Sequence, residues 1–432
     1  MKIQCKQIIM SIMLFGICCS VYSQRSGEKV LRLALKEAQD YAVNNNKIAW
    51  NAGLSVSEAQ KKTWEAISAG LPQISASVNY QNMMGFKMSF AGMEIAMAPT
   101  SNFQATVSQL LFNGSYWVGI KMSKIGEEMS ETARLQAELD VKQQTQSAYH
   151  SVLIAEENKK ILEQNLKNIQ TLAQKTEDMV RIGVAEQTDA DRMKLQVATI
   201  MNGVKMVERH IELAYNLLRF QLGVDTDVEI VLTQTLDNLI AAKDAHEMLL
   251  MNFDMNANYN MQLLNGQIDL ANMKISLEKS AMLPTVSAFY SYTYKIAKST
   301  FDMSPNNVIG LQASIPIFAS GQRHVKTQQA RINLEKAQNS RELLADQLLM
   351  QEKQLRFNLN NAIESLELQK EVVEVSQRVF DSVSRKYQQG TASSLDVTIA
   401  GSDLLQTQTN YVNAIMQVFA AQTELEKLLN TL

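Results

Sequence analysis

Polar and apolar positions along the chain follow two distinct rhythms. From Leu71 to about Phe112, and again from Leu283 to about Phe318, they alternate with period two. In the first window Ile74, Ala76, Val78 and Tyr80 share one face, against Gln73, Ser75, Ser77, Asn79 and Gln81. Phe103, Ala105 and Val107 then alternate with Asn102, Gln104, Thr106 and Ser108. In the second window Val286, Ala288, Tyr290, Tyr292 and Tyr294 oppose Thr285, Ser287, Ser291 and Thr293, and Ile309, Leu311, Ala313 and Ile315 oppose Gly310, Gln312 and Ser314. Strict alternation predicts strands with one apolar and one polar face, so each window (about 72–112 and 284–318) predicts a two-stranded hairpin.

The rest of the chain has the helical period. No glycine or proline lies between Gly126 and Gly183 or between Gly321 and Gly390, and all five prolines fall in the two strand windows. Ala148, Val152, Ala155, Leu162, Leu166, Ile169, Ala173, Thr176 and Val180 follow a 4-3 spacing. Leu359, Leu366, Val373, Phe380 and Tyr387 recur every seventh residue, joined by Leu355 and Ala362. That is a coiled-coil seam. At 1.5 Å per residue the stretch from Gln322 to Gln389 would be roughly 100 Å long, so such helices must pack side by side along their length.

The pattern occurs twice. LPQISASVNY at Leu71 answers LPTVSAFYSY at Leu283, GVAEQTD at Gly183 answers GTASSLD at Gly390, and the sequence around Leu222 answers that around Leu429. A repeat this long predicts a duplicated domain: residues 24–222 and 257–432, each reading helix, hairpin, long helix, tip, helix. A less periodic connector covers 223–256, with a short strand expected at Val228 to Leu232.

Lys2 and Lys6 precede an apolar run from Ile8 to Val21, and Ser23 follows, so residues 1–23 read as a cleaved export signal. All three cysteines (Cys5, Cys18, Cys19) fall inside it. A lipid anchor on Cys18 is the competing reading, opposed by the bulky Ile17 before it. The balance of 41 basic to 44 acidic residues excludes an electrostatic nucleic-acid binder. Four dispersed histidines (His150, His210, His246, His324) make no metal or redox motif. No nucleophile, base and oxyanion donors group together, and no phosphate loop is present, so neither an enzyme nor a cofactor is expected. Met83, Met84, Met88, Met93 and Met97 cluster between the first two strands. Thioethers suit Cu(I), but the plainer expectation is an apolar loop in which methionine fills irregular gaps.

Strands of about ten residues suit an outer-membrane span. Four cannot close a barrel, since the smallest bacterial ones use about eight, and an open edge in lipid leaves amides and carbonyls unpaired. A barrel would therefore be shared among chains; dimer, trimer and tetramer all satisfy the pattern. Two alternatives compete: soluble hairpins capping a bundle, and a structural or adhesive coiled-coil envelope protein without a lumen.

These features together resemble the TolC-type outer-membrane efflux proteins. The resemblance rests on LRLALKEAQDYAVNNN (Leu31 to Asn46), which looks like the family's first helix. It rests also on the LP-strand pairs, the apolar-Phe-x-x-Gly strand ends, the RxG and QxG tips, and the duplication itself. It implies a mainly α protein with a membrane β-barrel portion: a homotrimer whose twelve-stranded barrel, set in outer-membrane lipid, continues into a long coiled-coil α-helical barrel in the periplasm. It also implies a passive duct served by a periplasmic adaptor and an inner-membrane pump.

The tips, about 181–188 and 388–395, carry the candidate site. Gly183 and Gly390 fit helix-ending glycines, and Asp189 and Asp396 favour the helix starts that follow. The resemblance implies adaptor contact at Arg181, Gly183, Val184, Gly390 and Thr391, and a channel gate at Tyr387, Asp396 and Asp189. The family's arginine position holds Ala392 and its second gate aspartate Ile399. The family's salt-bridge lock therefore cannot form, and a single ring of Asp396 carboxylates is expected.

Overall fold

The structure, a computed structural model, describes residues 30–90, 92–96, 98–242, 245–297 and 304–432. The expected export signal and its cysteines lie outside them, as does Met97.

The chain opens with β1 (Val30–Leu33), α1 (Leu35–Asn45) and α2 (Lys47–Ser68). The expectation of one helix from Leu31 to Asn46 is corrected here. Val30 to Leu33 pairs in parallel with β6 (Glu229–Leu232) of the connector, Leu31 opposite Ile230. A short alternating VLRL gains more from a strand partner that buries Leu33 than from one extra helical turn. Asn46 separates α1 from α2: extended itself, it caps α2 by accepting from the Ile48 amide at 2.7 Å, and its side-chain amide donates to the Gln221 carbonyl at 2.7 Å.

Next come β2 (Gln73–Gln81), β3 (Lys87–Phe90), β4 (Met93–Ala96) and β5 (Thr100–Asn113). The methionine-rich segment, expected as a loop, contains the small β3–β4 hairpin. A turn through Met84 (φ 45°) and Gly85 (φ 81°), closed by the Phe86 amide on the Met83 carbonyl at 3.0 Å, leads into it. The helices α3 (Gly114–Arg181) and α4 (Gln187–Leu222) follow. The connector holds β6, α5 (Leu236–Ala242) and α6 (Ala245–Leu250). Then come α7 (Tyr259–Ser280), β7 (Thr285–Ala297), β8 (Asn307–Ser314), α8 (Gln322–Gln388) and α9 (Ser394–Leu429).

The main sheet has the order β2-β5-β7-β8, antiparallel throughout. Its register keeps the two faces apart. Ile74, Val107, Tyr290 and Ile309 line up across the strands, as do Ala76, Ala105 and Tyr292. On the opposite face Ser75, Thr106 and Ser291 line up, and Gln104 donates to the Ser291 hydroxyl at 2.7 Å. Phe289 interrupts that polar face because Gly310, directly opposite it, leaves room for the ring; a Cβ there would stand 2.8 Å from it. The apolar face is bare: Ile74 is 79% and Ile309 84% exposed.

The helices repeat the lateral order of the strands. Antiparallel α2 and α4 both pack on α3; α3 packs on α7 above and α9 below; α7 and α9 both pack on α8. This makes four columns, and the outer two (α2 with α4, and α8) run into the edge strands β2 and β8. Two larger apolar clusters, with two smaller ones around Leu359 and Met261, hold the columns together. The upper one, around Tyr149, Leu218, Leu222 and Phe419, lies against the β1–β6 pair. The lower one gathers Met193, Phe380, Val397 and Leu404 near the tips. The predicted seam runs through several of these clusters: Leu355 and Leu359 lie in the one around Leu359, Leu366 packs against the upper one, and Phe380 and Tyr387 lie in the lower one, with Leu359, Phe380 and Tyr387 buried.

Candidate channel end at the helical tips

Both long helices end in the same way. After Arg181, the Val184 amide reaches back to the Met179 carbonyl (2.8 Å) and the Gly183 amide to the Val180 carbonyl (3.0 Å). After Gln388, Thr391 bonds Lys386 and Gly390 bonds Tyr387, both at 2.9 Å. This pair of backbone bonds needs a left-handed residue, and Gly183 (φ 79°) and Gly390 (φ 74°) supply it at no steric cost.

The aspartates then start the returning helices. Asp396 Oδ2 accepts from the Ser393 amide (2.9 Å) and hydroxyl (2.8 Å), while the Ser393 hydroxyl accepts from the Asp396 amide (3.2 Å). The backbone bond first, and the hydroxyl second, hold the Asp396 carboxyl below the ordinary aspartate range. Asp189 Oδ2 takes the Glu186 amide at 3.3 Å, and its other oxygen accepts from the Ser394 hydroxyl. Asp189 therefore bonds the first turn of α9, and the two tips are tied to each other.

A second tie lies higher. Tyr387 is buried, and its hydroxyl stands 2.7 Å from Thr176 Oγ1, which itself bonds the Leu172 carbonyl at 2.9 Å. With the threonine proton directed to Leu172, Tyr387 is the donor. Arg181 folds back onto Asp178 at 2.6 Å, and the Thr391 hydroxyl donates to the Lys386 carbonyl at 3.1 Å. Ile182 (71%) and Val184 (66%) are bare at the very end. Ala392 packs against the lower cluster, and Ile399 is exposed. The structure thus brings Asp189 close to the start of α9 and leaves Asp396 to its own cap. Sequence reasoning missed Ser394 and the role of Thr176. A polar residue inside the 4-3 apolar pattern was the available signal for Thr176.

Among the described residues no group of three or more His, Cys, Asp or Glu could hold a metal ion. Met84 is fully displayed at its turn.

The whole is a sheet with one apolar and one polar face, continued by helices of 68 and 67 residues. The sequence matches the outer membrane efflux protein family over residues 39–224 and 256–431, and the chain belongs to that family. It is 22% identical to the outer membrane protein TolC of Vibrio cholerae over 391 residues (88% of this chain, 87% of that one). It is also 22% identical to TolC of Escherichia coli K12 over 432 residues (97% and 86%). Among solved structures, the fold is similar to CusC (TM-score 0.76, 17% identity, 95% of each chain). It is likewise similar to VceC of Vibrio cholerae (TM-score 0.73, 15% identity, 91% and 95%). The protein is an outer-membrane efflux channel.

Proposed function

We propose that three copies close into a twelve-stranded barrel above a twelve-column helical tube, forming a passive duct from periplasm to exterior. The observation that carries this reading is the shared lateral order of strands and helices, with both ends of that order open. Edge strands β2 and β8 have no ladder partner on their outer sides among the described residues, and a bilayer does not tolerate such edges. Exposed large apolar side chains gather on the same outer columns. Leu195, Leu213 and Phe220 lie on α4 and Leu343, Met350 and Phe357 on α8, whereas α3 exposes only Trp117 of this kind. One edge meeting the other edge of a second copy is a head-to-tail contact, which closes by rotation. The two separate family matches support reading residues 24–222 and 257–432 as duplicated halves around a connector, 223–256.

An inner-membrane pump supplies the energy and a periplasmic adaptor meets the tips, with Arg181, Gly183, Val184, Gly390 and Thr391 in its footprint. The bare Ile182 and Val184 suit an apolar helix-hairpin contact. Asp189 and Tyr387 hold the gate shut from within each protomer, and three Asp396 carboxylates ring its opening.

The detergent-extracted mature protein should run as a trimer and fractionate with outer membranes; a soluble monomer or dimer would refute the shared barrel. Asp396→Ala should weaken cation preference in reversal-potential measurements, and unchanged selectivity would remove the ring. Because its folded pKa is lowered, Asp396 contributes its cap above the unfolded aspartate pKa and loses it as pH falls through the folded one. The cation preference should accordingly persist at pH values where an ordinary aspartate is already protonated.

A further inference from the structure

Directly below the sheet, α2 and α3 present a face that the duct reading leaves without a role. Two contacts fix how these helices meet: Tyr116 donates to the Ile67 carbonyl at 2.9 Å, and buried Thr63 shares its hydroxyl proton between the Ala59 carbonyl on its own helix (3.2 Å) and the Ser123 carbonyl on α3 (3.3 Å). Trp64 follows Thr63 by one residue and Trp117 follows Tyr116 by one. Successive helical residues step about 100°, and the helices run in opposite directions, so both steps turn to the same side of the helical layer. The two indoles are 60% and 62% exposed there, within about two turns of the strand ends.

Lysines follow on the same side. Lys121 and Lys124 lie four and seven residues beyond Trp117, and Lys61 three before Trp64. All three are exposed and form no ion pair among the described residues. Lys62, turned away from this side, is instead paired with Glu58 at 2.6 Å. Lower still the balance turns acidic: Lys124 lines the groove between the two helices together with Glu127, Glu128 and Glu131, the glutamates starting about 15 Å below Trp117. Above the indoles, Leu71, Leu111 and Phe112 are exposed at the strand ends. Apart from exposed Glu65, which lies one turn above Lys61 on α2, the descending order is apolar, indole, ammonium, carboxylate. This matches the depth profile of a leaflet, from acyl chains through the interfacial zone and phosphates to water.

We infer that this face seats the headgroups of inner-leaflet phospholipids, with Trp64 and Trp117 at the carbonyl level and Lys61, Lys121 and Lys124 on the phosphates. Charge complementarity and the exposed apolar Leu71, Leu111 and Phe112 directly above the indoles select lipid as the occupant. The inference rests on the sheet being the membrane-spanning part. It fixes the height and tilt at which the tube hangs below the bilayer.

The sequence supplies its own control, because the chain has only three tryptophans. The third, Trp50, lies on α2, about 21 Å below Trp64. Three single-tryptophan proteins, the other two positions changed to Phe, would be reconstituted into vesicles of phosphatidylethanolamine and phosphatidylglycerol carrying bromine near the top of the acyl chains. Emission from Trp64 and Trp117 should fall by half or more, while Trp50 stays unquenched. In K61Q/K121Q/K124Q, quenching of Trp117 should drop about twofold in the same vesicles; an unchanged value would remove the lysines from the site. If the protein co-floats with vesicles as a trimer but Trp64 and Trp117 are reached only by aqueous iodide, they face the lumen and the inference fails while the duct stands. If the protein does not co-float at all, the membrane sheet fails and this inference with it.

Discussion

Ala105→Arg should reduce the trimer recovered from outer membranes at least tenfold, whereas Ser75→Arg should leave it near the unsubstituted level. Ala105 lies in the middle of β5, between Ala76 and Tyr292 on the apolar face. An arginine near the midplane of a membrane barrel costs about 2–4 kcal/mol on the lipid side. That cost recurs in every copy of the assembly, and the small neighbour Ala76 offers no partner for the guanidinium. Ser75 belongs to the other face, beside Thr106 and Ser291, which lines the water-filled lumen in the proposed trimer, so that a charge there would keep its hydration. The measurement is the heat-sensitive trimer band in purified outer membranes, normalised to total synthesis. Equal losses from both substitutions would mean that the two faces are not lipid and lumen, and the barrel would have to be abandoned. Equal tolerance of both would have the same consequence.

That contrast can be drawn because period-two alternation survives in the folded sheet with little change. A strand has only two faces, and most apolar residues assigned to one of them in the sequence meet their predicted kind across the ladder, as from Ile74 to Ile309, the exceptions being Tyr80 opposite Ser101, Ala288 opposite Gln109 and Tyr292 opposite Asn307. The long helices were equally legible, since no glycine or proline lies between Gly126 and Gly183 or between Gly321 and Gly390, and the tip glycines end both. Local pattern failed where the decisive partner is remote. VLRL reads as the head of a helix until β6, about 200 residues later, offers it a strand to pair with. The β3–β4 hairpin does alternate, Met88, Phe90, Met93 and Ile95 against Lys87, Ser89 and Glu94, but over only four residues a strand, too short a run to stand out from the methionine-rich segment around it. At the tips, Gly183, Gly390 and both capping aspartates could be read from composition and spacing. The bond from Ser394 to Asp189 could not, because it joins two hairpins whose relative placement depends on packing between α3 and α9.

The same packing determines what Tyr387 does. Its ring fills the lower cluster between α3 and α8, while its hydroxyl ends on Thr176. Tyr387→Ala should therefore cost about 3–5 kcal/mol of local stability by leaving a cavity, and Tyr387→Phe only about 1 kcal/mol through the lost hydrogen bond. Stability in this protein is divided among separate apolar clusters, and the upper one around Tyr149 and Leu218 shares no residue with the lower. The alanine variant should consequently still assemble and insert, but with loosened tips. Its single-channel conductance in planar bilayers should rise several-fold, and limited proteolysis should cut near residues 182–186 and 389–393 well before any other site. Adding Ser394→Ala, which frees the Asp189 carboxylate from α9, should raise conductance further, because the two ties act on the same pair of hairpins and neither can substitute fully for the other. Should Tyr387→Ala assemble and lose the expected tip stability, yet conduct as the parent does, the intraprotomer ties do not set the width of the closed end. The resistance would then have to lie with Asp396 or with contacts between protomers.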